Sequence, residues 1–135
     1  MIRKRWKKVD LLICGLGGAS YFPNTVHAPQ KDNYEIALLR EQFLAHKFCE
    51  IVEEIKPKNV LPFVPGFALL ELDKQWINKT KFPRKYLKNY YKDFFDKNSE
   101  MEFFNLLPGD SIENEVWNKT SPYHDQEIDD NLSHL

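Results

Sequence analysis

The sequence has little cysteine, little glycine and no long apolar run, and each shortage closes off a class of protein. Two cysteines in 135 residues are too few for a disulfide framework, and Cys14 and Cys49 lack zinc-type spacing. A reducing cytoplasm is the expected compartment. No stretch approaches the roughly 20 consecutive apolar residues that span a bilayer. The basic start (Arg3, Lys4, Arg5, Lys7, Lys8) is followed by an apolar run too short for a secretory signal. Without an export signal, the glycosylation patterns at Asn78 and Asn118 are read as chance. A formal net charge of −1 gives no overall pull towards nucleic acid, so neither nucleic acid nor membrane is expected as a partner.

What is present suits one α/β domain. The chain is 42% hydrophobic, enough for a single core and too short for two ordinary domains. The expected division is one α/β domain over residues 1–112 and an acidic, extended tail over 113–135. Val9 to Cys14 is a short apolar run ending in glycines, which predicts a strand covered on both faces. Gly15 to Asp32 reads as one long loop. Asp32 with Glu35 makes a capping box for a helix whose apolar stripe is read as Ile36, Leu39, Phe43, Ile51 and Ile55, ending before Pro57. Val60 to Val64 predicts a second strand, with Pro62 marking its end or an irregular edge.

Strand, loop, helix and strand form a βαβ unit with parallel strands. Ligands bind beyond the carboxyl ends of strands in open α/β sheets, which places the Gly15 to Ser20 loop and the segment after Phe63 side by side at the candidate site. Pro83 to Lys97 predicts a helix with Tyr86, Tyr90, Phe94 and Leu87 along one face. The lysines between these rings also fit a nucleic-acid surface, but a half-buried amphipathic helix is the simpler reading. Phe103 to Leu107 is a last apolar segment before a Pro108-Gly109-Asp110 turn.

The glycine loop fits no standard phosphate motif. Ser20 stands where a dinucleotide fingerprint needs its third glycine, and no lysine follows as a P-loop requires. Its small residues still leave backbone N–H groups open to an anion, a substrate or a metal, although tight chain reversal alone also explains them. The four histidines are scattered, and only His27, inside the long loop, is placed near a site. Ser20 has no identifiable base partner, so no nucleophile is assigned.

Two segments together carry a more specific signal: Gly17-Gly18-Ala19-Ser20-Tyr21-Phe22-Pro23 after the first strand, and Lys56-Pro57-Lys58 leading into Leu61-Pro62-Phe63 after the helix. This pattern resembles the C-terminal half of the metallo-β-lactamase-fold domain in CMP-N-acetylneuraminate hydroxylase and its bacterial relatives, over residues 9–78. Leu107-Pro108-Gly109-Asp110 is a weaker echo. The resemblance implies a partial αββα sandwich, built here from the βαβ unit with a C-terminal helix and short strands. It also implies a divalent metal (zinc, iron or manganese) in the complete domain, where a metal-activated water attacks an ester, phosphodiester or lactone-like bond.

The H-x-H-x-D-H motif that supplies most of that family's metal ligands is not in this sequence, nor are the Cys and His ligands of a Rieske centre. Cys14 stands where the family tends to have an acidic residue, and Glu71 where relatives often have a histidine. The expectation is therefore a hydrolase-like fragment with no cofactor of its own, enzymatic only when completed by a missing N-terminal half. Gly17, Gly18, Ala19 and Ser20 would line the substrate site, with Tyr21 and His27 as contacts to a small-molecule substrate and Glu71 as a metal ligand of last resort. The competing expectation is a noncatalytic interaction module, a degenerate or truncated relative whose exposed sheet is covered by a protein partner or by self-association.

Overall fold

The computed structural model describes residues 7–16, 32–63, 69–122 and 124. Strand β1 (Leu11–Gly15) is followed by helix α1 (Asn33–Ile55) and strand β2 (Asn59–Phe63). After 3-10 turns at Gln75–Thr80 and Arg84–Tyr86 come helix α2 (Leu87–Phe94), strand β3 (Glu102–Phe103), and a hairpin of β4 (Ser111–Glu113) and β5 (Val116–Asn118). The main sheet has the order β1-β2-β3 with both pairings parallel. The βαβ unit is present, and the class is α/β.

Helix α1 is delimited by local chemistry. The Asp32 carboxylate accepts from Tyr34 N at 2.9 Å, satisfying one of the first-turn N–H groups. At the other end Lys56 adopts a left-handed conformation (φ 47°), because the ring of Pro57 disfavours a helical residue before it. The buried face of α1 matches the predicted stripe only at Ile55: Ala37, Ala45, Phe48, Cys49 and Val52 join it in facing the core, Ile36 is half-buried, and Leu39, Phe43 and Ile51 are exposed. Small residues at 37 and 45 let the helix sit close to its neighbours, and side-chain size misled the choice of face.

Core residues Phe48, Cys49, Val52, Val60, Leu87, Tyr91 and Phe103 form one cluster, with Leu12 and Cys14 packed against it. Alternate residues of the strands therefore point towards the helices. The others point away, and that face is only partly covered: Ile13 is 57% and Phe63 61% exposed and Leu11 is also exposed, while Asn59 is buried and Leu61 half-buried. This corrects the expectation of a first strand covered on both faces, since both helices pack on one side. Phe104, one residue past Phe103 and so turned the other way, is buried edge-on against Trp117 of the hairpin at 6.1 Å. The hairpin thus shields the β3 side of that face. Its β4 strand runs across the expected boundary at 112/113.

Pro62 lies on the central strand rather than on an edge. Asn59 N bonds to Asp10 O and Leu16 N to Phe63 O, so odd-numbered residues of β2 face β1, whereas Val60 O accepts from Phe104 N on the β3 side. Pro62 has no N–H to offer β3, and the β2–β3 ladder stops at that level.

The reassigned helix face gives a direct comparison. Phe48→Ala should cost about 3–5 kcal/mol of unfolding free energy, and Phe43→Ala no more than about 0.5 kcal/mol. Urea denaturation of both variants distinguishes them, and equal losses would contradict the packing described.

Candidate functional site

The carboxyl edge of the sheet is where the βαβ geometry puts a ligand. Gly15 pairs with Phe63 across the strand ends, and Leu16 N donates to Phe63 O at 2.9 Å. The strand ends at Gly15 and Phe63, to which the glycine loop and the next segment are joined, therefore lie side by side; residues 17–31 and 64–68 lie outside the described residues. Gly17, Gly18, Ala19, Ser20, Tyr21 and His27 lie outside the described residues. At the same edge, just past β3, the Asn105 Oδ1 is buried without a hydrogen bond. Such an acceptor costs roughly 1–3 kcal/mol unless a donor reaches it.

The cysteine at this edge is not poised for chemistry. Burial raises the Cys14 thiol above its ordinary pKa, partly offset by a hydrogen bond with the Gly15 backbone. Metal ligation and nucleophilic attack need the thiolate, which is scarce here at neutral pH. Cys49, inside the core, is pushed up to about 12 by burial. Glu71 sits exposed in a turn, and its carbonyl accepts from Lys74 N at 2.9 Å. No three His, Cys, Asp or Glu side chains are grouped as a metal set among the described residues. These residues do not fit the metal implied for the complete family domain.

The most organised polar cluster lies elsewhere. The Asp110 carboxylate is fully covered and accepts from Leu107 N (3.0 Å), Ser121 N (2.9 Å), Trp117 Nε1 (3.0 Å) and His124 Nε2 (2.8 and 2.7 Å to its two oxygens). Burial alone would raise its pKa, but the backbone N–H groups of Leu107 and Ser121, with His124 and Trp117, hold it well below the usual carboxylate range. An ionised carboxylate only accepts, so Nε2 of His124 carries the proton. The sequence shows Asp110 only as a turn residue and His124 as isolated. Their separation of 14 residues follows no motif spacing, and only the Pro108-Gly109-Asp110 turn hinted at an organised segment.

Comparison of the chain with protein-family models, with curated proteins and with solved structures gives no match. No described helix is long and apolar enough to cross a membrane.

Asp110 should make the hairpin acid-labile. Its folded pKa is below the unfolded value of about 3.9, so its contribution is complete above about pH 5 and is lost as pH falls below that value. Asp110→Asn should lower the denaturation midpoint at pH 7 and flatten its fall between pH 5 and pH 3. A variant whose midpoint tracks the parent at both ends would remove Asp110 from this role. Thiol titration offers a second check: Cys49 should react with a disulfide reagent at pH 8 only on unfolding, and reaction in the folded protein would contradict its burial.

Proposed function

We propose that the chain supplies one helix-backed sheet of an αββα, metallo-β-lactamase-like hydrolase domain. Its second sheet and its metal ligands would come from a further part of the polypeptide or from an associated chain. The observation behind this reading is the one-sided sheet. Purely parallel sheets occur almost only with both faces covered, yet α1 and α2 occupy one face and leave Leu11, Ile13 and Phe63 on the other. A second sheet packed about 10 Å away would bury those side chains and supply the third of the sandwich's four layers. The carboxyl edge, from which the glycine loop departs, would then border the substrate of an ester, phosphodiester or lactone-cleaving reaction. No catalytic step is assigned to the described residues.

A noncatalytic interaction module is the second reading, and Cys14 favours it. A half-buried thiol whose pKa is raised replaces the acidic residue of the family pattern at the end of β1, which removes an oxygen ligand from that edge.

The experiment is to isolate the chain from its native cells, with whatever it is joined or bound to, and measure metal content and hydrolysis of the three bond types. Stoichiometric zinc, iron or manganese, lost together with the assembly in Ile13→Lys, is the expected result. Ile13→Lys should leave the isolated chain's own stability within about 0.5 kcal/mol, because the position is exposed. A metal-free species that remains assembled through the Ile13 face would sink the hydrolase reading and leave the interaction module. A folded monomer with that face still open to solvent would sink both.

A further inference from the structure

Strand β1 forms an edge of the main sheet that no described segment closes. Asn59 N donates to Asp10 O and Leu16 N to Phe63 O, so the even-numbered residues of β1 direct their backbone groups to β2. Those of Leu11, Ile13 and Gly15 point the opposite way, and with the order β1-β2-β3 no strand among the described residues meets them. Natural edge strands are blunted by a lysine, a proline or a bulge. Within Leu11–Gly15, LLICG, none of these occurs.

Burial on the helix side agrees. Val60 and Pro62 of β2 are buried beneath the helices, whereas Leu12 and Cys14, their partners on β1, are only half-buried. A strand with neighbours on both sides is covered laterally, and β1 has a neighbour on one. The helix layer is wide enough to cover more. Helix α1 meets β1 and α2 meets β3, and two helices packed about 8–10 Å apart span roughly 20 Å, the width of about four strands at about 4.8 Å each. The sheet beneath them has three.

This geometry selects among occupants. A second copy pairing antiparallel through its own β1 would bring its own α1 to the same side of the sheet. The two helices would then lie over strands about 5 Å apart, well inside the roughly 8–10 Å that packed helices need. A single extended segment without a helix meets no such obstacle. Lys7, exposed just before β1, forms no ion pair among the described residues, while Lys8 is paired with Asp10 at 3.4 Å. An acidic group on the added segment would pair with Lys7.

We propose that the outer edge of β1 binds an extended peptide segment of a partner protein as a fourth strand. The segment is about five residues long and antiparallel to β1, the slightly more stable pairing. It is apolar at successive positions, because one set of its side chains lies beside Leu11 and Ile13 and the other under α1, beside Leu12 and Cys14. It is acidic at the end that passes Lys7. Main-chain hydrogen bonds supply the affinity and the flanking side chains the selectivity, as in other strand-addition complexes. The bonding row belongs to the edge of the sheet and not to its open face, so the proposal stands or falls independently of the hydrolase reading.

The test is selection of peptides of about 10 residues from a random library displayed on phage, with the full chain as target. Selected peptides should be rich in Val, Ile, Thr and Tyr, followed by an Asp or Glu. Ile13→Pro removes an outward N–H and spares the β1–β2 ladder, which uses the even-numbered residues. It should weaken binding of the synthetic peptides at least about 10-fold. N-methylation of alternate peptide amides should do the same for one set and nothing for the other, because only one side of an added strand bonds to β1. Lys7→Gln should weaken binding about 2- to 5-fold, and less at high salt. Circular dichroism checks that Ile13→Pro is folded, and should it not be, the methylation pattern decides alone. A selection that yields no binder would overturn the proposal. So would binding indifferent to the position of the methyl groups, or a concentration-dependent dimer of the chain that is lost in Ile13→Pro.

Discussion

The parallel pairing of β1 with β2 is the constraint on which the rest of the structure depends. Two parallel neighbours cannot be joined by a tight turn, so the chain must cross over. Here α1 makes the crossing and then buries one face of the sheet it has connected. Phe48, Cys49 and Val52 on the helix meet Val60 on the central strand, and burying each such side chain is worth roughly 1.5–3 kcal/mol. Helix α2 closes the same cluster through Leu87 and Tyr91. The Tyr91 hydroxyl, reaching Glu53 on α1 at 2.5 Å, ties the two helices together. With both helices on one side, the opposite face is left to the hairpin and to solvent.

The hairpin is organised on different principles. Its strands are three residues each, too short to hold together alone, and they depend on the Asp110 carboxylate. Four donors converge on that group, two from the backbone and two from side chains, and Trp117 then packs against Phe104 and His124. The turn of β4–β5 places Asn114 and Glu115 at positive φ, the geometry that matches hairpin twist. Glu115 also pairs with Lys58 at the start of β2, fastening the hairpin to the sheet. A buried anion thus does for this segment what apolar burial does for the rest.

Much of the βαβ unit was legible in the sequence. The Asp32 cap, the stop before Pro57 and the short apolar runs flanking the helix are local signals, set by side-chain chemistry within a few residues. Which face of α1 turned inward was not legible. Large apolar residues at 36, 39, 43 and 51 outweighed the alanines at 37 and 45, although close approach to the sheet favours small residues. On α2 the expected face held at Leu87, which is buried, and at Tyr90, which packs against the core, whereas Tyr86 and Phe94 are exposed and Tyr91 is buried in their place. Of the candidate site, the adjacency of the two strand ends follows from the connection alone, whereas the Asp110–His124 pairing depends on the hairpin's path and left no spacing to read.

By itself the sequence determined the boundaries of α1 and the presence of two parallel strands, whereas the second helix, expected over 83–97, is a 3-10 turn at Arg84–Tyr86 and α-helical only over Leu87–Phe94. The α1 boundaries and the parallel pairing depend on contacts between residues close in the chain and on the short list of connections a strand, helix and strand allow. Only the tertiary structure decided that both helices share one side of the sheet, that Ile13 and Phe63 stay uncovered, and that the rings of Tyr86 and Phe94 face outward. Those outcomes depend on which of several apolar stripes finds the best-fitting partner, a competition between distant segments that no local pattern encodes.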